Sequence, residues 1–417
     1  MEEGHNVDVI YLDFAKAFDK LDFNVTLNKL KMLGIDGKIG RWIHSFLTGR
    51  HQSVVVNGEK SPPAEVLSGV PQGSVIGPIL FLILIGDIDQ NVAHAFLSSF
   101  ADDTRVGKAI KTVADADLLQ QDLNQVYQWA ALNNMEFNEP KFDLLRYGQN
   151  SDLKEVTSYV TNSNTPIEEK QMTKDLGVIM SSTGDFQDHI SKVTETVRDL
   201  SSWILRSFKS RSPTLMLQLW KSIVIPHLDY CSQLWNPHKV SAIQQLEELQ
   251  KSFVRHISGF RHMNYWTALA KLGLYSLQRR RERYQIIYLW SILESKVPNI
   301  LTATGLPMVT TQSAVDSRRG RTILIPHVKR SRYSTLRYHS LPIYGARLFN
   351  AMPSDLRSLT NVSKDTFKTF LDKILRTIPD EPLILRYTQF RKAPSNSVID
   401  MIQCTSGWEE SVLSRGY

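Results

Sequence analysis

The sequence predicts an α+β fold: a mixed sheet covered on one face by helices up to about residue 180, then a mostly helical region. Three observations predict it. Short stretches rich in Val, Ile, Tyr and Phe alternate with stretches of helical period as far as about residue 180, the pattern of a sheet packed on helices. Several of the short stretches are joined by hairpin chemistry, such as the Asn-Gly pair in "HQSVVVNGEKSPPAEVL", which favours antiparallel pairing. From "FQDHISKVTETVRDLSSWILRSF" onward the apolar period is helical to about residue 296.

Taken in order, "VDVIYLDF" (7–14) reads as a short buried strand. "AFDKLDFNVTLNKLKML" reads as a helix stopped at Gly34, and "DGKIGRWIHSFLTGR" as a second helix ending before Gly49. A hairpin follows. "SGVPQGSVIGP" is a Gly/Pro/Ser loop leading into an apolar helix, "ILFLILIGDI". A hairpin with Asp102 and Asp103 at its tip comes next, then the helix "VADADLLQQDLNQVYQWAALNN". "FDLLRYG" is a strand, and "TPIEEKQMTKDLGVIMSS" another hairpin. The expected divisions are 1–180, 181–296 and 297–417, the last basic and partly irregular.

Composition narrows the class. The chain has 417 residues, 42% of them hydrophobic and 22% charged, as in a globular protein. Two cysteines, Cys231 and Cys404, give no disulfide framework. The N-terminus has no signal-peptide pattern. The most apolar run, residues 78–88, is about half the length of a membrane span, so no membrane partner is expected. Charge is uneven: residues 1–150 carry 13 basic and 19 acidic side chains, and the remainder 36 and 23. The basic back suggests a polyanionic partner.

Two adjacent carboxylates, Asp102 and Asp103, repel each other unless a cation offsets them. Asp13, at the end of a buried strand, is costly to desolvate without a partner. Gly69, Gly73 and Gly77 allow close backbone approach to another molecule, with Gln72 between them. Three carboxylates from two strands suit a pair of hard cations that stabilise the attacking and leaving oxygens of a phosphoryl transfer, with Mg²⁺ the natural choice. Arg105 reads as a local counter-charge to the pair, and Asp19 and Asp22 as surface or capping residues. His227, Cys231 and His238 lack the spacing of a zinc site. "QRRRERY" and "SRRGRTILIPHVKRSRY" are basic clusters; Arg279, Arg280, Arg281, Arg318, Arg319 and Arg321 are candidate phosphate contacts.

The ordered set "YLDFAKAFD", "GVPQGSVIGPILF" and "FADD" resembles the palm of reverse transcriptases, above all those of non-LTR (LINE-like, jockey-type) retrotransposons. "WAALNNMEFNEPKFDLLRYG", "DLGVIMSS", "LWKSIVIPHLDYCSQLWNP" and "RLFNAMPSDLR" extend the resemblance over about residues 7–375. It implies a polymerase palm, an antiparallel sheet backed by helices, followed by a helical thumb. It implies Asp13, Asp102 and Asp103 as catalytic metal ligands for two Mg²⁺ ions, or Mn²⁺ in their place, and Lys141 as the group that protonates pyrophosphate. Phe14, Phe18, Pro71, Gln72 and Gly73 would bind nucleotide and template, Phe18 discriminating against a 2′-hydroxyl. Leu176, Gly177 and Val178 resemble a primer grip. The implied partners are an RNA template, a DNA primer or target and deoxynucleotides, and the implied place of action is the nucleus.

The family's fingers begin before the "YLDF" strand, so the resemblance implies incomplete fingers and an N-terminally truncated element copy. Gly86 stands where the family has Asn. A catalytically inactive nucleic-acid-binding remnant is the alternative expectation. An intron-encoded or telomerase-like polymerase is a third, against which the C-terminal stretches argue.

Overall fold

The computed structural model describes residues 5–148, 150–297, 320–323, 325, 334–382 and 396–403. The chain divides into two compact units, Met1–Gly184 and Asp185–Tyr417.

In the first unit a five-stranded sheet is built on β1 (Asn6–Leu12), whose Val, Ile and Tyr suit a strand flanked on both sides. Around it lie β2 (Phe96–Phe100), β3 (Asp103–Ile110), β4 (Asp143–Tyr147) and β5 (Glu169–Lys170), in the order β2-β3-β1-β4-β5. Every pairing is antiparallel except β4 with β5. Ile10, Leu12, Val106 and Leu144 enter one apolar core with helices α1 (Phe23–Met32), α2 (Gly37–Leu47), α3 (Gly77–Ile85) and α4 (Val113–Leu132). On α4, buried Leu119, Leu123, Val126 and Ala130 recur at helical spacing along one face. The expected sheet backed by helices is therefore present.

One boundary moved. The helix expected from Ala17 starts at Phe23. Asp22 is its N-cap, its side chain accepting from the Val25 amide at 2.9 Å. Lys16 sits in the left-handed region (φ 53°), which breaks helical continuity before Ala17.

Both hairpins form. Val55–Val56 pairs with Glu59–Lys60 around Asn57 and Gly58, both at positive φ, as a tight hairpin turn requires. β6 (Met172–Asp175) and β7 (Val178–Ser181) make a separate two-stranded sheet around Leu176 and Gly177, also at positive φ.

The second unit is helical among its described residues, with α5 (Gln187–Ser207), α6 (Val240–Val254), α7 (Tyr265–Leu272), α8 (Leu277–Leu293) and α9 (Lys364–Leu375). Trp290 of α8 stacks on Phe367 of α9, ring centroids 4.3 Å apart. Residues beyond 297 thus share a core with α8. No described helix is long and apolar enough to cross a membrane.

The arginines of α8 correct a sequence expectation. Arg279 is fully buried and donates to the carbonyls of Leu375, Ile378, Pro379 and Asn396. Arg281 is buried, with its Nε donating to Asn236. Arg280 grips Asp229 through two nitrogens, and Arg283 does the same with Asp372. A buried guanidinium must find fixed acceptors; Arg279, Arg280 and Arg283 find most of theirs inside the unit, while Arg281 Nη2 is buried without one. They frame the fold: Arg279 and Arg281 are buried, and the half-buried Arg280 and Arg283 are paired with carboxylates. Arg321 is likewise held by Glu294 and the carbonyls of Arg357 and Leu359. Arg318 and Arg319 lie outside the described residues.

Candidate active site

Asp13 follows the last residue of β1, and Asp103 opens β3. The ladder pairs Leu12 with Thr104, so its continuation sets Asp13 beside Asp103. Asp102 lies in the two-residue turn between β2 and β3, next to Ala101, which takes a positive φ of 52°. The Asp103 carboxyl is held above its ordinary range by its burial and then by the charges of Asp102 and Asp13. Three carboxylates thus crowd one end of the sheet.

Lys141 lies on a short turn, Glu139–Lys141, before β4. Its Nζ is 3.0 Å from Asp13 Oδ2. The backbone fixes this meeting: the Asn138 amide donates to the Asp13 carbonyl at 2.8 Å, and Phe14 bridges to Phe137. Phe14 is itself a core side chain, stacked on Phe137 with ring centroids 4.5 Å apart. This corrects the expectation that its ring meets a substrate: the ring packs inward and orders the turn beneath Asp13.

The Gly-rich loop is zippered onto the turn after β1. The Gly69 amide donates to the Leu21 carbonyl and the Val70 amide to the Phe18 carbonyl. Gly69 has φ +81°, and a Cβ there would meet the Asp19 carbonyl oxygen at 2.6 Å. Only glycine permits that approach. Phe18 packs against Phe81, ring centroids 4.6 Å apart, and stays half-buried. Gln72 and Gly73 are exposed beside it and Pro71 is half-buried. Gln72 Nε2 donates to Asp19 Oδ1 at 3.2 Å. Asp19 therefore orients Gln72, a role that sequence reading missed because the partners lie far apart in the chain.

Leu176 and Gly177 form the β6–β7 turn, and Val178 is buried at the start of β7. This hairpin is tied to the main sheet by Arg105 to Asp175 and by Thr173 Oγ1 to Asp143 Oδ2 at 2.8 Å. The structure brings Asp13, Asp102, Asp103 and Lys141 together, and separately Gln72 with Asp19.

Among the described residues no trio of His, Cys, Asp or Glu has a geometry that could hold a metal ion. The donor chemistry nevertheless fits a hard divalent cation. All three groups are carboxylates, they repel one another, and Asp13 has already drawn in a cationic side chain. Asp13, Asp102 and Asp103 are the residues that could hold such an ion by drawing together.

The family model described as reverse transcriptase (RNA-dependent DNA polymerase) matches residues 2–180. The RNA-directed DNA polymerase from mobile element jockey of Drosophila funebris is 28% identical over 62% of this chain and 29% of its own length. The probable RNA-directed DNA polymerase from transposon X-element of Drosophila melanogaster is 27% identical over 60% of this chain and 28% of its own length. The chain thus spans under a third of the length of these relatives. A telomerase structure from Candida tropicalis, in complex with a fragment of telomeric RNA, covers 70% of this chain and 43% of its own at 12% identity, with a TM-score of 0.37. The match reaches from β1, which ends just before Asp13, to the hairpin of Leu176 and Gly177: residues 2–180 match the reverse-transcriptase family, and the chain is similar to the polymerases of jockey-like non-LTR retrotransposons.

Proposed function

We propose that the chain is an RNA-directed DNA polymerase, extending a DNA primer along an RNA template with deoxynucleotides. The observation that carries this reading is the placement of Asp13, Asp102 and Asp103 at one end of the sheet by the β1–β3 register and the β2–β3 turn. In the reaction the primer 3′-oxygen loses its proton and attacks the α-phosphate. The bond from the α-phosphorus to the bridging oxygen breaks, and pyrophosphate leaves. Asp13, Asp102 and Asp103 would hold two Mg²⁺ ions, which supply charge stabilisation to the attacking and leaving oxygens when bound.

The side chains supply the rest. Lys141, which pairs with Asp13, would deliver a proton to the leaving pyrophosphate. Phe18 supports the sugar and leaves no room for a 2′-hydroxyl. Gln72, held by Asp19, lines the nucleotide and template pocket with Pro71 and Gly73. Leu176, Gly177 and Val178 steady the primer end. In this reading residues 1–180 are the palm with partial fingers, 181–296 the thumb and 297–417 a basic C-terminal region, and the work is done in the nucleus.

Oligo(dT) on poly(rA) tests the reading. The wild type should add dTTP and reject UTP, and Phe18→Ala should accept both. Failure of both proteins to extend with dTTP would overturn it. A second reading is a nucleic-acid-binding remnant without catalysis. That reading expects salt-sensitive RNA binding and no extension.

A further inference from the structure

We infer that Arg105 is a positioning residue: it locks the β6–β7 turn to the strand that carries Asp103. The inference rests on the proposed polymerase reading, in which that turn steadies the primer.

The β6–β7 hairpin is a sheet of its own and does not share the ladder of the five-stranded sheet. Its backbone joins the main sheet at β5, one residue before β6, so side chains are left to hold the far end of the hairpin, at its turn. Asp175 is the last residue of β6, directly before the turn residues Leu176 and Gly177. Its carboxylate pairs with Arg105. Arg105 stands two residues after Asp103 on β3, so alternation puts both on one face, about 7 Å apart along the strand. The pair is largely shielded, with Asp175 13% and Arg105 33% exposed at the side chain. Thr173, two residues before Asp175 on β6, adds a second tie to Asp143 of β4. Arg105 thus spans from the carboxylate end of the sheet to the turn by one side chain. A loose turn would let the primer end drift, and small misplacements of a nucleophile are costly to rate.

The test uses the full chain as wild type, Arg105→Gln, Asp175→Asn, the double variant and Arg105→Lys, on oligo(dT)/poly(rA) with Mg²⁺. Each of Arg105→Gln and Asp175→Asn should slow single-nucleotide addition at saturating dTTP about tenfold or more. The KM for dTTP should stay within about twofold. The double variant should be no slower than the slower single one, because one link is being cut. Arg105→Lys should recover part of the rate. Undiminished rates, multiplied losses in the double variant, or a loss seen in KM alone would overturn the inference.

If the wild type adds no nucleotide, the polymerase reading falls by itself, and the link is then judged by amide exchange. Faster exchange in residues 172–181 in both single variants, with β1 unchanged, upholds it. Exchange like the wild type's in that hairpin overturns it.

Discussion

Lys141 Nζ lies 3.0 Å from Asp13 Oδ2, so the carboxylate at the end of the central strand already has a cationic partner. A divalent cation must compete with that ammonium. Lys141→Met should therefore lower the Mg²⁺ concentration that half-saturates primer extension. It should also slow extension, on the order of a hundredfold, through loss of the proton donor. A magnesium titration of the two proteins checks both effects. An unchanged magnesium requirement would contradict the competition.

Gly69 is the pivot of the Gln72 loop. Alanine there meets the Asp19 backbone at 2.6 Å and must hold φ near +81°. The conformation alone costs about 1–2 kcal/mol. Gly69→Ala should lower the melting temperature and raise the KM for deoxynucleotide, because Gln72 loses its place beside Asp19. A variant with wild-type melting temperature and KM would contradict this account of the loop.

The arginines of α8 bear on stability. Arg279→Ala would take the cation from Asp380 and the donor from four carbonyls, a loss of about 3–5 kcal/mol in denaturant melts. Arg280→Ala should leave the salt dependence of RNA–DNA affinity unchanged, since that charge is spent on Asp229. A phosphate contact would instead lower the slope by about one on removal.

Glu282 gives the second unit a pH dependence. It is buried on α8, accepting from Tyr344 Oη at 2.6 Å and from the Val398 amide at 2.8 Å. Burial pushes its carboxyl up to about 7 from 4.5, against the pull of those bonds and of Arg279. Between these values the folded chain keeps a proton that the unfolded chain releases. The stability from this group is full below about pH 4.5 and is lost as pH rises through about 7. The slope is up to about 1.4 kcal/mol per pH unit. Glu282→Gln should flatten denaturant melts between pH 5 and 8 in proportion. An identical pH profile would contradict the assignment.

These residues also show what sequence could reveal. β1, the Asp102–Asp103 turn and the Gly-rich loop were legible because their signals are local: strand composition, turn chemistry and glycine spacing. The start of α1 was misplaced because Ala17–Leu21 has helical composition, while Lys16 at positive φ and the Asp22 cap move the start to Phe23. Arg105 with Asp175 and Gln72 with Asp19 were hidden because each pairing depends on the folded sheet bringing distant residues together. The α8 arginines misled for a related reason. Charge in a sequence does not distinguish a solvated helix face from a buried one with acceptors waiting on other helices.

The central claim is that Asp102 and Asp103 support nucleotide addition. The most direct measurement compares the wild type with Asp102→Asn/Asp103→Asn in extending oligo(dT) on poly(rA) with dTTP and Mg²⁺ at low salt, with RNA–DNA affinity read in parallel. The account predicts extension by the wild type, none by the double variant and equal affinity for both. Equal extension by the two proteins, or none by either with affinity intact, would contradict it.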